Sequence, residues 1–365
     1  MKRLYGAVVA AILLSCLVLI YCDGAGGNGD GIRNIVIIKD DLISPTTWRG
    51  DTIYVIKAWD FYVLDTLVIE PGAIIKFHPT EGPYLTLGGS GTIIANGTAA
   101  DPIVFTSYKD DTHGGDTNGD GSATQPARRD WGAINTNSLN GSIFNYCDFY
   151  YGGSGSYTYT LTIYSSTATV TNCIFAHNDG SDSTGWYGAL DANDGGSGVV
   201  IQNNTFYDNV RPLSISNDFS IDDSNVFHNP DNPTETNTYN GIPVYTTNHV
   251  TSNISWGETE VAFVIDDNDW WVNAGSTLTL ANNVVLKFKP GSVFLLQDGA
   301  SALVNYNGTG VYFTSFRDDS RKGDTNGDGS ATSPASNDWV GIYDDSMAIP
   351  SPYYFTWANI LYDSY

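Results

Sequence analysis

The sequence predicts an all-β chain wound as a solenoid, and three observations carry that expectation. From residue 52 onward, short segments alternate in period two or are rich in β-branched and aromatic residues. Residues 52–57, 66–70, 73–77, 103–106 and 199–202 are examples, and Gly, Asn, Asp or Pro punctuate them. Outside the N-terminal leader, no stretch of ten or more residues carries an apolar stripe at helical spacing. A short motif then recurs as Cys147-Asp148-Phe149, Cys173-Ile174-Phe175, Asn204-Thr205-Phe206 and Asn225-Val226-Phe227, at spacings of 26, 31 and 21 residues. Asn178 and Asn209 each follow their Phe by three positions.

A unit of this length is too short for half a sandwich and fits one coil of a solenoid. Its varying length fits loops of different size leaving each turn. Like positions on successive coils stack at the sheet spacing of about 4.8 Å. Phe is therefore expected on Phe inside, with Asn laddered at a bend. The pattern resembles the right-handed parallel β-helix proteins of the pectate-lyase-like superfamily, over roughly residues 50–365. The competing reading is a β-sandwich array in which the Asn-x-Phe matches arise by chance. Cys147 and Cys173 each precede a ladder Phe by two, so they are expected side by side on neighbouring coils.

A longer repeat overlies the short one. Ile75-Lys76-Phe77 recurs as Leu286-Lys287-Phe288, and Asn96-Gly97-Thr98 as Asn307-Gly308-Thr309. Phe105-Thr106-Ser107 recurs as Phe313-Thr314-Ser315, and Asp130-Trp131 as Asp338-Trp339. The nine residues from Asp116 to Thr124 reappear unchanged from Asp324 to Thr332. The expected organisation is a signal peptide at 1–22, a tether and N-terminal cap at 23–51, a first module with its coil array at 52–259, and a second copy at 260–365. Residues 229–243, with three Pro, are the expected joint. The second copy stops where the first enters its coil array, which is the expectation for the front piece of a longer chain.

The repeated loop carries the clearest chemistry. Asp116-x-Asn118-x-Asp120-Gly121-Ser122 places oxygen side chains at positions 1, 3, 5 and 7, with Gly at 6 for a sharp turn. Calcium takes six to eight hard oxygens at about 2.3–2.6 Å, and this spacing wraps them around one point. It matches the front half of an EF-hand-like loop but has Ala127 and Ala335 where a bidentate Glu would stand. The expected ligands are Asp116, Asn118, Asp120, Ser122 and Asp130, and in the second copy Asp324, Asn326, Asp328, Ser330 and Asp338. Asp110-Asp111 and Asp318-Asp319 are further candidates to complete the shells. An Asp/Gly-rich turn without metal is the alternative.

Composition sets the surroundings. Forty Asp and Glu against sixteen Lys and Arg give a formal net charge of −24, which disfavours binding along a nucleic-acid backbone. Aromatic residues at 13% and hydrophobic residues at 41% argue against disorder. Met1-Lys2-Arg3, an uncharged apolar run and then a Gly-rich stretch read as a secretory signal. Leu19-Ile20-Tyr21-Cys22 resembles a bacterial lipobox, with Tyr21 departing from the usual small residue. Lipid attachment at Cys22, cleavage near Ala25 and an uncleaved anchor all fit. Placement is thus secreted or in the cell envelope, with membrane contact only through a lipid or signal anchor.

Catalytic signals are sparse. The superfamily includes calcium-dependent polysaccharide lyases that use a basic residue. Arg128 and Arg129 flank the first loop, but Ser336 and Asn337 replace them in the second. Asp179/Asp182 and Asp191/Asp194 are carboxylate pairs in Gly/Ser-rich turns, and the five His form no metal spacing. Trp270-Trp271 and Trp186-Tyr187 fit a sugar-stacking platform or core packing equally. The expected function is a calcium-binding structural or adhesive protein whose partner is a surface polysaccharide or another surface protein. A carbohydrate-active enzyme or sugar-binding module on the same scaffold is the alternative.

Overall fold

A computed structural model describes residues 33–79, 83–136, 141–155, 158–164, 167–180, 187–246, 249–267, 269–346 and 353–365. The leader with Cys22, the 23–31 tether, Asp182 and Trp186 lie outside the described residues.

The chain is an all-β solenoid of the parallel β-helix type. Three long sheets run along it. The first has seven strands, from Asn34–Ile38 to Thr205–Tyr207. The second has ten, from Asp60–Val63 to Tyr312–Ser315, and the third has six, from Thr46–Trp48 to Val200–Gln202. Within these sheets every strand pairs in parallel with the strand one turn away. One turn visits the three sheets in order, as in Ile74–Phe77, Tyr84–Leu87 and Thr92–Asn96, and the next begins at Ile103–Ser107. Alternation explains why these segments are strands with one face buried: Phe61 and Val63 are fully buried while Asp60 and Tyr62 face out.

The motif residues stack as the repeat requires. Phe105, Phe149, Phe175, Phe206 and Phe227 form one interior column, with ring centroids 4.9, 4.6, 5.1 and 5.3 Å apart and planes within 15°. Two buried Asn ladders turn the corners beside it. Asn178, Asn209 and Asn237 follow the first sheet, and Asn204 and Asn225 precede it. Each amide bonds to its neighbour and to a strand carbonyl, so the turn's polar groups are satisfied inside the core. Cys147 and Cys173 occupy the same position on adjacent coils, since Asp148 pairs with Ile174. Both are buried free thiols.

The second copy does not sit on the same faces as the first. Ile74–Phe77 belongs to the first sheet, yet its counterpart Val285–Phe288 continues the second sheet. The first sheet's regular strands end at Thr205–Tyr207, with a last bridge to Val226. An antiparallel hairpin, His228–Asn229 with Asn232–Thr236, follows. The chain then rejoins the second sheet at Gly241–Tyr245, so that sheet passes through the 229–243 stretch without a break. Two further sheets take over: Ile254–Trp256, Leu278–Leu280 and Leu303–Val304 form one, and Trp270–Val272, Val293–Leu296 and Gly341–Asp344 another, closed by the antiparallel strand Tyr353–Tyr354. The two long loops therefore leave from different faces: the first after the first sheet, the second after the second.

One interior acid records the cost of this junction. Glu258 is fully buried in the turn that leads into the second copy. It accepts from the Glu260 amide, and its other oxygen has no partner. Burial pushes its pKa up to about 8, and the Asp223 and Glu260 charges add to the effect. Protonation thus favours the folded state. The contribution is complete below the unfolded carboxyl pKa of about 4.3 and is lost as pH rises to about 8. Glu258→Gln keeps the amide acceptor without the charge. It is expected to melt with the wild type near pH 4 and several degrees above it near pH 8.5. Equal melting temperatures at both pH values would refute this account.

Candidate metal-binding loops

Each repeated loop springs from the end of a core strand and returns at a buried Trp. In the first copy the loop follows Ile103–Ser107 and ends at Asp130-Trp131. Trp131 stacks on Phe77 at 4.0 Å, and its indole N–H donates to the Tyr150 carbonyl. In the second copy Trp339 stacks on Phe288 at 4.1 Å and donates to the Leu361 carbonyl. The two indoles fix the loop exits in the same way, each stacked on a buried Phe of a core strand.

The loop backbone is then folded by its own carboxylates. Asp116 accepts from the Gly119 amide at 2.7 Å and the Gly121 amide at 2.8 Å, and Asp324 accepts from Gly327 and Gly329 at 2.7 Å each. These amides converge because Gly119 and Gly121 both have φ of +73°, a region costly for other residues. Asn118 accepts from the Asp120 amide, and Thr124 donates to the Asp120 carboxylate; Asn326, Asp328 and Thr332 repeat both bonds.

This folding gathers carboxylates. Oxygens of Asp111, Asp116 and Asp120 lie within 4.8 Å of one another, and so do those of Asp319, Asp324 and Asp328. One oxygen each of Asp111, Asp120 and Asp319 is buried without a hydrogen-bond donor. Burial and the neighbouring Asp116 charge raise the Asp111 pKa, and burial and Asp324 do the same for Asp319. All the converging donors are hard oxygens, the set a calcium ion takes.

The expected ligands divide accordingly. Asp116, Asp120, Asp324 and Asp328 come together, and the third member of each cluster is Asp111 or Asp319. Asn118 and Asn326 stay beside them through hydrogen bonds to Asp120 and Asp328. Ser122 and Ser330 are exposed. Asp130 and Asp338 are committed elsewhere. Asp130 takes bonds from Ser107 and the Ala127 amide and pairs with Lys109 at 2.8 Å. Asp338 takes the same bonds from Ser315 and Ala335 and pairs with Arg317 at 2.8 Å. They latch each loop exit to its strand. Asp110 and Asp318 are buried and held by Thr106 and Thr314.

Among the described residues the remaining catalytic candidates do not converge. Arg128 pairs with Asp208, and Arg129 pairs with Asp179 at 3.1 Å, so both tie the loop exit to later coils. Ser336 and Asn337, which stand in their place in the second copy, carry no charge for such pairs. Asp191 is buried and held by Ser214 and Thr162, while Asp194 is exposed. Burial pushes the Asp191 pKa up to about 7. Trp270 lies inside, stacked between Trp256 and Phe294, and forms no outer platform.

Two residues escaped the sequence reading. Lys76 and Lys287 are fully buried directly beneath the loops. Their signal was present: a lysine recurring at the same place inside two otherwise apolar strands. Comparisons with protein-family models, curated proteins and solved structures return no match.

Proposed function

We propose that this chain is an exported, calcium-binding β-helix with a structural or adhesive role at the cell envelope, and that each repeated loop takes one Ca²⁺ ion. The observation that carries the reading is the duplicated three-carboxylate cluster, built with the same hydrogen bonds in both copies. Without an ion, three like charges are held close at each cluster, a cost that a divalent cation removes. Asp111, Asp116 and Asp120 supply charge in the first site, and Asn118 adds a neutral oxygen. The leader motivates export, and Cys22 motivates a lipid anchor. The partner in this reading is a surface polysaccharide or another surface protein.

Calorimetry of the chelator-treated protein is expected to show two calcium ions bound, with dissociation constants of about 10⁻⁴–10⁻³ M, the range of extracellular modules. A hundredfold excess of calcium over that constant stabilises the fold by roughly 2.7 kcal/mol per site. Asp120→Asn removes one ion, and the pair with Asp328→Asn removes both. Absence of calcium heat together with an unchanged melt in chelator would reduce both loops to ordinary acidic turns.

A further inference from the structure

Lys76 and Lys287 are the two buried lysines among the described residues, and both stand in equivalent places. Each lies on a core strand between two inward apolar residues, so its side chain emerges on the outer face under the loop. Lys76 Nζ donates to the Asp110 carbonyl at 2.7 Å, the Gly115 carbonyl at 3.0 Å and Thr117 Oγ1 at 2.7 Å. Lys287 Nζ donates to the Gly323 carbonyl at 2.6 Å and Thr325 Oγ1 at 3.0 Å. Gly115 and Thr117 flank Asp116, and Gly323 and Thr325 flank Asp324. In each copy the ammonium therefore grips the chain on both sides of the central aspartate of the cluster, by a backbone carbonyl before it and a threonine hydroxyl after it, without a hydrogen bond to that carboxylate. That leaves the carboxylate oxygens turned toward one another.

An ammonium removed from water is costly unless nearby partners compensate it. Here the compensation is the loop: its carbonyls, its threonine hydroxyl and the charges of the adjacent aspartates. The dependence runs both ways. The loop concentrates three carboxylates, and among the described residues the lysine is the fully buried cation beneath them. The same loop segment also roofs an apolar cluster on the outer face of the first sheet, where Gly114 meets Ile53 and Ile74. A loop released from the lysine would uncover that cluster.

We infer that Lys76 and Lys287 are resident cations that position the two acidic loops and keep them folded when no divalent ion is bound. The inference rests on the reading of the loops as calcium sites. Its consequence is that calcium enters a preformed cluster instead of creating one. The lysines are positioning residues, since their hydrogen bonds go to the residues on either side of the central aspartate and not to its carboxylate.

Hydrogen exchange of the full chain, followed by mass spectrometry in chelator and in calcium, tests this. In the wild type, amides of residues 109–124 are expected to keep their protection in chelator to within about threefold of the calcium state. In Lys76→Met the same segment should lose about tenfold or more in chelator and regain it with calcium, while residues 317–332 stay unchanged. Lys287→Met should give the mirror result, which keeps the test open if one variant fails to fold. Lys76→Arg retains the charge and should restore protection in chelator. A wild-type loop unprotected in chelator would overturn the inference, as would a Met variant indistinguishable from wild type or an Arg variant behaving like Met. Calcium calorimetry on the wild type separates the two claims: no binding heat sinks the calcium reading, while the exchange in chelator still decides the role of the lysines.

Discussion

Asn209→Leu is expected to destabilise the fold by on the order of 3–5 kcal/mol, because it orphans several buried groups at once. Asn209 is fully buried at the corner after the first sheet. Its amide nitrogen donates to the Phe175 carbonyl at 2.8 Å and to Asn237 at 2.9 Å. Its oxygen accepts from both the backbone and the side chain of Asn178, at 3.1 Å each. Leucine has similar volume and no polar atoms, so packing changes little. The Asn178 amide and the Phe175 carbonyl then lose their partners in a site that water cannot reach. Each such loss costs about 1–3 kcal/mol. Urea unfolding of the variant measures the sum, and a change below about 1 kcal/mol would show that the ladder is dispensable.

Trp131→Ala is expected to cost about 3–5 kcal/mol, the range for removing a large buried aromatic. Trp131 is fully buried, stacks on Phe77 and donates to the Tyr150 carbonyl. Alanine leaves a cavity inside the solenoid and an unpaired carbonyl. The substitution also frees the end of the first loop, whose preceding residue Asp130 latches to Ser107 and Lys109. Weaker calcium binding at the first site should accompany the stability loss, with the second site unaffected. Trp339→Ala reverses the assignment. Unfolding midpoints and calcium titrations read both effects, and a stable variant with unchanged calcium affinity would refute the anchoring role.

Much of this architecture was legible because a solenoid writes its contacts into its periodicity. Phe149, Phe175 and Phe206 recur one coil apart, and residues one coil apart in a parallel sheet must be neighbours. The same logic placed Asn178 on Asn209 and Cys147 beside Cys173. The loop was legible for a different reason: Asp116, Asn118, Asp120 and Gly121 act within a few residues of one another, so their spacing nearly fixes their geometry. Asp130 was expected among the ligands because it carries the right charge in the right neighbourhood. Only the strand end brought Ser107 and Lys109 to it. Arg128 and Arg129 are similar: their partners Asp208 and Asp179 lie two or more coils of chain away in sequence and are adjacent only in the stack.

The sequence by itself determined that the chain is a coil of parallel strands, which side chains fill its interior, and where two copies of one acidic loop fall. These follow from local spacing and from self-similarity, which need no knowledge of how coils face one another. The tertiary structure decided the rest. It set the second copy on a different face of the solenoid, because the first sheet ends at the hairpin while the second continues. It sent Asp130 and Asp338 to latch strands, and it chose Asp111 and Asp319 to complete the carboxylate clusters. It also turned Lys76 and Lys287 outward beneath their loops, where alternation along a strand places a side chain but only the loop folded over it gives a buried charge its partners.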